Sequence, residues 1–291
     1  MQIVTDSGVD VILSEQDKAG LNYHVVPLVV TLDRKSYREN IDIQKDGFYS
    51  LLIASENMPV TSQPSAGDFA EIYHQLAKTD PDILSIHISS GLSGTVNAAQ
   101  AASKMAPEAN VTVVDAKTLS AAAGWMVESA SRAINAGWSK EKVLDLIEQI
   151  KAASYSIYTL NDLKYLIHGG RISHMKGLIA SLLHIRPMIG VDKETGKYVQ
   201  MGQARSFENA VKGIVSLISR QYEPGSELRV QVVHAQNPSG ADMLREQIEK
   251  TFKCSWLPVG QLSLVLGSHT GPSMVGVAFA PLSIFADLPQ A

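Results

Sequence analysis

An α/β protein of two domains, the first built on a mostly parallel sheet flanked by helices and the second on a further α/β unit, is what this sequence predicts. Three observations lead there. The 291 residues suffice for two domains of ordinary size, each with its own core. Through the first half, short β-branched runs alternate with stretches whose apolar residues recur at helical spacing. The composition, 45% hydrophobic and 19% charged with only 6% aromatic residues, describes a folded chain with an aliphatic interior.

The elements follow in order. "QIVTDS", "HVVPLVVTL", "ILSIHIS" and "VTVVDA" read as strands, and "SAGDFAEIYHQLAK" and "GTVNAAQAASKMA" as the helices between them. Two helices fill 120–153, parted near Gly137, with Ser139 capping the second. Beyond them "SYSIYTL" reads as a strand, "NDLKYLIHGGR" as a helix stopped by Gly169 and Gly170, and "MKGLIASLLHI" as another helix. "RPMIGVD" and "KYVQMGQA" flank a hairpin turn at Thr195-Gly196. A helix at 206–222, a strand at 228–235, a helix at 239–252, a strand at 254–259 and a last strand at 274–280 complete the pattern. The boundary is expected near residue 155, dividing 1–154 from 155–291.

Several functions are excluded at this level. With 25 Lys and Arg against 29 Asp and Glu, the chain has a formal charge of -4 and no basic stripe, so nucleic acid is not an expected partner. Its single cysteine, Cys254, allows no internal disulfide and reads as a packing residue. The start carries no signal pattern and no window is apolar enough to span a membrane, which predicts a cytoplasmic protein. No metal-binding string occurs, and no catalytic cofactor is expected. Asp6 is expected to hydrogen-bond within the turn that follows the first strand.

Three places carry chemistry. In "HISSGLSGTVNAAQAA", Ser93 stands where a strand gives way to a helix, so that backbone N–H groups and a hydroxyl gather at a helix N-terminus. A P-loop is missing its lysine. A hydrolase elbow is a near miss, since Gly94 comes one place early and Thr95 fills the second glycine position. Ser93 then remains open as a nucleophile with His269 as its base, as a seat for a carboxylate, or as a plain helix cap. In "MPVTSQPSAGDF", Ser65 caps the following helix, and a polar turn leaves Thr61 and Ser62 unused. If that turn and the Ser93 turn leave one edge of a parallel sheet, both face one crevice. In "LGSHTGPSMVG", His269 sits in what reads as a glycine-rich loop, where backbone closely approaches something.

Taken together and in this order, "IVTDS", "VVPL", "TSQPS", "LSGT", "LKYLIHGGRIS", "IRPMI" and "HTGP" resemble the DegV family of bacterial fatty-acid-binding proteins, which includes the lipid-binding subunit of fatty acid kinase. Ala116 and Ser273 depart from the family's usual residues. The resemblance implies a DegV-like two-domain fold with the ligand between the domains. It implies that Thr61 and Ser93 bind the carboxylate of a long-chain fatty acid near His269, with Ser62, Gly94, Thr95 and Gly271 in the supporting turns. The first domain would carry the head-group turns and the second would cover the acyl chain. It further implies a non-catalytic protein that presents the acid to a separate kinase catalytic subunit for acyl phosphate formation, with transient peripheral membrane contact. Arg171 and Arg205 match the family's basic contacts for that partner or the membrane surface. Two other readings stay open: a serine hydrolase or acyltransferase using Ser93 and His269, and a lipid-sensing regulatory protein.

Overall fold

The computed structural model describes residues 1–172 and 185–289. Ser173 and nearly all of the helix expected over 175–185 lie outside the described residues.

The chain opens with β1 (Gln2–Asp6), α1 (Glu15–Ala19), β2 (His24–Val26), β3 (Val29–Leu32), β4 (Lys35–Arg38), α2 (Lys45–Ala54) and β5 (Val60–Ser62). It continues through α3 (Ala66–Ala77), β6 (Asp82–His87), α4 (Thr95–Met105), β7 (Asn110–Asp115), α5 (Ser120–Asn135) and α6 (Lys140–Ala153). The remainder holds β8 (Tyr155–Thr159), α7 (Lys164–Gly169), β9 (Arg186–Val191), β10 (Tyr198–Ala204), α8 (Phe207–Ile218) and β11 (Glu227–His234). Last come α9 (Pro238–Glu249), β12 (Lys253–Trp256), β13 (Gly260–Gln261), α10 (Leu264–Thr270) and β14 (Val275–Pro281).

These strands form three sheets. A parallel one runs β2-β1-β6-β7, as the alternation of strands and helices predicts. A small antiparallel sheet, β4-β3-β5, stands apart from it. The third runs β10-β9-β8-β14-β11-β12 with β13 on β11; its pairs are antiparallel except for those of β12 and β13 with β11.

Two expectations are corrected here. "HVVPLVVTL" is not one strand but two in different sheets, broken at Pro27, which has no N–H to continue a ladder. Thr61 and Ser62 are not in a loop: they form edge strand β5, with Thr61 opposite Val30. A three-residue edge strand is too short to show a period, and so its sequence reads as a polar turn.

The helices between are placed by their buried faces. Phe69, Ala70, Tyr73 and Leu76 of α3 pack with Ala98, Ala99 and Ala102 of α4 against Val4 and Ile83 of the parallel sheet. Ser65 and Asp68 cap α3 reciprocally, so its start is fixed by side chains. Helix α5 is buried almost all round, which only its run of Ala, Ser and Gly permits; at Gly124 an added Cβ would lie 2.1 Å from the Asp10 carbonyl oxygen. One core cluster joins α5 and α6 to residues of both the parallel and the C-terminal sheets, including Ile86, Tyr158 and Ala278. A second cluster fills the space between the C-terminal sheet and α8 and α9, and half-buried Cys254 packs against it.

The β9–β10 hairpin reaches across to the first half. Its Gly196, at φ 68°, takes the left-handed conformation that the turn requires, and its carbonyl accepts a hydrogen bond from Ser89 Oγ at 2.8 Å. A Cβ at Gly91 would lie 2.4 Å from the Thr195 carbonyl oxygen, so the two backbones meet flush beside the turn that carries Ser93. Among the described residues, no helix is long and apolar enough to cross a membrane.

Candidate functional site

Thr61, Ser93 and His269 line one cavity of about 290 Å³. Its apolar wall comprises Leu28, Ile88, Leu92, Leu119, Val265 and Leu266. That volume stands at the lower end of the range of roughly 300–1,000 Å³ typical of small-molecule sites. Leu119 also borders a separate, much smaller apolar void of about 20 Å³, lined by Tyr158, Val233 and Met274 among others, between the start of α5 and the C-terminal sheet.

The three polar side chains arrive by routes different from the one expected. Thr61 comes from the antiparallel sheet and Ser93 from the turn after β6 of the parallel sheet, so the two do not leave one sheet edge. They nevertheless meet at one cavity. His269 is not in a loop: it stands in the last turn of α10, a helix whose seven residues are all buried and therefore show no polar-apolar period. Gly271 ends that helix at φ 73°, and a Cβ there would lie 2.2 Å from the ring of Tyr165.

His269 and Thr61 are hydrogen-bonded, Nε2 to Oγ1, at 2.8 Å. The other ring nitrogen, Nδ1, is buried with no partner among the described residues, and it faces Gly169, where a Cβ would lie 2.1 Å away. Burial pushes the imidazole down to about 4, and the charges of Arg171 and His168 push in the same direction, so the ring is neutral at pH 7. An orphaned buried N–H is rarer than an orphaned acceptor, which puts the proton on Nε2. His269 then donates to Thr61, and the Thr61 hydroxyl hydrogen is left to point into the cavity.

Ser93 is not the helix cap. The cap of α4 is Gly94, which makes no side-chain bond, while Ser93 Oγ lies 2.8 Å from Thr95 Oγ1 and accepts the Thr95 N–H at 3.3 Å. With Thr95 donating, Ser93 keeps its own hydrogen for the cavity. Thr95 is buried behind it, and Gly94 gives room to the Gln63 side chain, whose Oε1 would lie 2.1 Å from a Cβ.

Ser62 lines the cavity with Thr61. Arg171 lines it too: its Nη1 donates to the Gly169 carbonyl at 2.6 Å and its Nε to the Leu92 carbonyl at 3.5 Å, so it is a mouth residue as well as a surface one. Arg205 stands exposed after β10 and does not line the cavity. Gln63 and Tyr198 line it as well; Gln63 stands inside the "TSQPS" motif with no role of its own expected there, and Tyr198 stands in no distinctive pattern.

Beneath the Ser93 turn, Asp6 accepts the Gly8 N–H at 2.8 Å, which is the turn role expected of it, and also the Ile88 N–H just after β6 at 3.0 Å. Its Oδ2 also meets His87 Nδ1 at 3.0 Å, and His87 Nε2 meets Ser85 Oγ at 2.7 Å. That row has the order of a hydrolase triad, yet all three residues are fully buried and Ser85 is bonded onward to Tyr73. It is scaffolding for the turn above it.

Comparison with known proteins agrees with this architecture. Residues 1–282 match the model of the DegV family, described as "Uncharacterised protein, DegV family". A DegV domain-containing protein of Deinococcus radiodurans is 34% identical over 279 residues, covering 96% of this chain and 95% of its own. Among solved structures, a fatty-acid-binding DegV family protein from Thermus thermophilus aligns with a TM-score of 0.87 at 30% identity, over 97% of this chain and 99% of its own. DegV of Bacillus subtilis, a fatty acid binding protein, aligns with a TM-score of 0.84 at 28% identity, over 96% and 98%.

Proposed function

This chain belongs to the DegV family, and from that premise we propose that it binds a long-chain fatty acid whose carboxylate sits on Thr61 and Ser93 beside His269. The observation that carries the proposal is that the Thr61 and Ser93 hydroxyls, hydrogen-bonded to His269 and Thr95, line one cavity together with the aliphatic side chains of Leu28, Ile88, Leu92, Leu119, Val265 and Leu266. Two such donors suit the two oxygens of a carboxylate, and charge-assisted bonds of this kind are about twice as strong as neutral ones. Arg171 at the mouth adds a positive field without burying an unpaired cation.

The tail supplies most of the affinity. Each buried methylene contributes about 0.8 kcal/mol, so a chain of roughly sixteen carbons contributes on the order of 10 kcal/mol before ordering costs. Its path in this reading runs from the cavity past Leu119 into the apolar seam at Tyr158 and Met274, between residues 1–154 and 155–291.

The protein then acts as a carrier. It presents the acid to a separate kinase catalytic subunit for acyl phosphate formation, and it meets the membrane briefly and peripherally, with Arg171 and Arg205 as contacts. A hydrolase using Ser93 and His269 fits the geometry poorly. His269 Nε2 is engaged by Thr61 rather than Ser93, and no carboxylate orients the other nitrogen among the described residues.

Native mass spectrometry of the purified chain tests the reading. A co-purifying fatty acid, or uptake of added palmitate or oleate, is the expected result; a protein that neither carries nor takes up either acid overturns it. Fluorophosphonate is expected to leave Ser93 unlabelled, and labelling there favours the hydrolase.

A further inference from the structure

A second cavity, of about 350 Å³, opens at the other end of α10, and Asp10, Glu39, Lys45 and Gln261 are among the residues that line it. Its charges are tied to the start of the helix that carries His269. Lys45 Nζ donates to Asp10 Oδ1 at 3.1 Å and to the Gln261 carbonyl at 2.7 Å, and it lies 3.3 Å from Glu39 Oε1. Glu39 Oε2 accepts the Leu264 N–H at 2.8 Å. Tyr49 donates to the Leu262 carbonyl at 3.1 Å, and the helix passes so close that a Cβ on Gly267 would lie 2.2 Å from the Tyr49 hydroxyl oxygen. Three side chains therefore grip residues 261, 262 and 264 from one side.

The helix needs that grip. The first N–H groups of any helix have no partner within it. Ser263 stands at the capping position of α10 but makes no capping bond, and its hydroxyl is buried with no partner among the described residues. Glu39, 225 residues away in sequence, does the capping instead, with a carboxylate at the positive end of the helix. From Leu264 to His269 the helix rises about 7.5 Å, and over so short a span the placement of its first turn sets the direction of the imidazole.

We infer that Glu39 is a positioning residue for His269: held by Lys45, it fixes the first turn of α10 and so aims the imidazole at Thr61 from a cavity that the ligand's head group does not enter. The inference rests on the head-group reading above. Burial pushes the Glu39 carboxyl up to about 7 against the pull of Lys45, so its charge is held in place at a cost. A Ser263 side-chain cap would reach the second or third N–H of the helix and not that of Leu264, so Glu39 meets a donor that local capping leaves open.

A double-mutant cycle on the full chain tests it, with palmitate displacing a fluorescent long-chain fatty acid and thermal melting as the control for folding. Glu39→Ala is expected to weaken palmitate binding about tenfold when His269 is present and less than about twofold in a His269→Ala background. Glu39→Gln keeps an acceptor for Leu264 but loses the charge that Lys45 holds, and is expected to lose about threefold, again only with His269 present. Equal losses in both backgrounds, or no loss in a folded Glu39→Ala, overturn the inference. Should Glu39→Ala fail to fold, the Glu39→Gln cycle is read by the same rule. His269→Ala with unchanged affinity overturns the head-group reading together with the inference, whereas a loss for His269→Ala and none for either Glu39 variant overturns the inference alone.

Discussion

His269 Nε2 and Thr61 Oγ1 lie 2.8 Å apart, although 208 residues separate them in sequence. The bond joins the last turn of α10 to edge strand β5, so it ties the helix that precedes β14 to the small antiparallel sheet. It also decides how the threonine works. A neutral imidazole with its proton on Nε2 donates to Thr61, and the threonine is thereby left as a donor to the cavity.

Removal of either hydroxyl is expected to weaken the ligand's hold without unfolding the chain. Thr61→Val and Ser93→Ala should each cost about 1–3 kcal/mol of fatty acid affinity, the usual penalty for leaving a buried charged group short of a hydrogen bond. Thr61→Ser, which keeps the hydroxyl, should recover most of the loss. Competition between unlabelled palmitate and a fluorescent analogue reads all three, and undiminished affinity in Ser93→Ala removes Ser93 from the head-group site.

The buried imidazole has a consequence for stability as pH falls. His269 binds its proton at about 4 in the folded chain and at the ordinary 6.5 when unfolded. Below 6.5 the unfolded state therefore takes up the proton first, so stability is lost as pH drops from 6.5 toward 4, with a ceiling of about 3 kcal/mol. Glu39 works against this through an overlapping window. Its raised carboxyl favours the folded state below 4.5, and that contribution is lost as pH rises toward 7. Urea unfolding at pH 7 and pH 4.5 should show His269→Gln losing less stability on acidification than the natural chain. An identical pH dependence in the two would mean that the histidine titrates normally.

The hairpin that lies over the Ser93 turn should be equally sensitive. A Cβ on Gly91 meets the backbone carbonyl of Thr195 at 2.4 Å, and neither backbone is the movable end of a flexible side chain. Gly91→Ala is expected to cost about 1–3 kcal/mol of stability through overpacking and to weaken ligand binding as the turn shifts. Ser89→Ala removes only the hydrogen bond to Gly196 and should cost about 1 kcal/mol. Thermal melting with parallel binding curves separates the two effects, and a Gly91→Ala chain as stable as the natural one would show that the hairpin does not seat on the turn.

How much of this was legible beforehand depended on local pattern. The parallel sheet announced itself through strands and helices long enough to show their periods, such as 82–87 and 66–77. Thr61, Ser93 and His269 were legible as site residues from their settings and from the family resemblance, and the fold brings all three to one cavity. Their supports were not legible. Strand β5 is three residues long, and α10 is buried all round, so neither carries a polar-apolar rhythm. Glu39 sits in a stretch that reads as a plain charged surface, "REN", and its ion pair with nearby Lys45 and its distant contact with Leu264 are what distinguish it. Contacts across 225 residues leave no spacing for a reader to find.

Gly169 offers a way to move His269 without touching it. A Cβ at this last residue of α7 would lie 2.1 Å from His269 Nδ1, 3.0 Å from Cε1 and 3.2 Å from Cγ, so the imidazole ring packs on bare backbone. Helical backbone accepts alanine readily, and the substitution therefore acts through the ring contact rather than through strain in α7. Gly169→Ala must push the ring away from α7 and disturb its bond to Thr61. The expected outcome is a loss of fatty acid affinity similar to that of His269→Ala, with a smaller loss on combining the two than their sum. Full additivity would place the effect of Gly169 elsewhere, and an unchanged affinity would show that the ring has room to turn aside while Thr61 still holds the ligand.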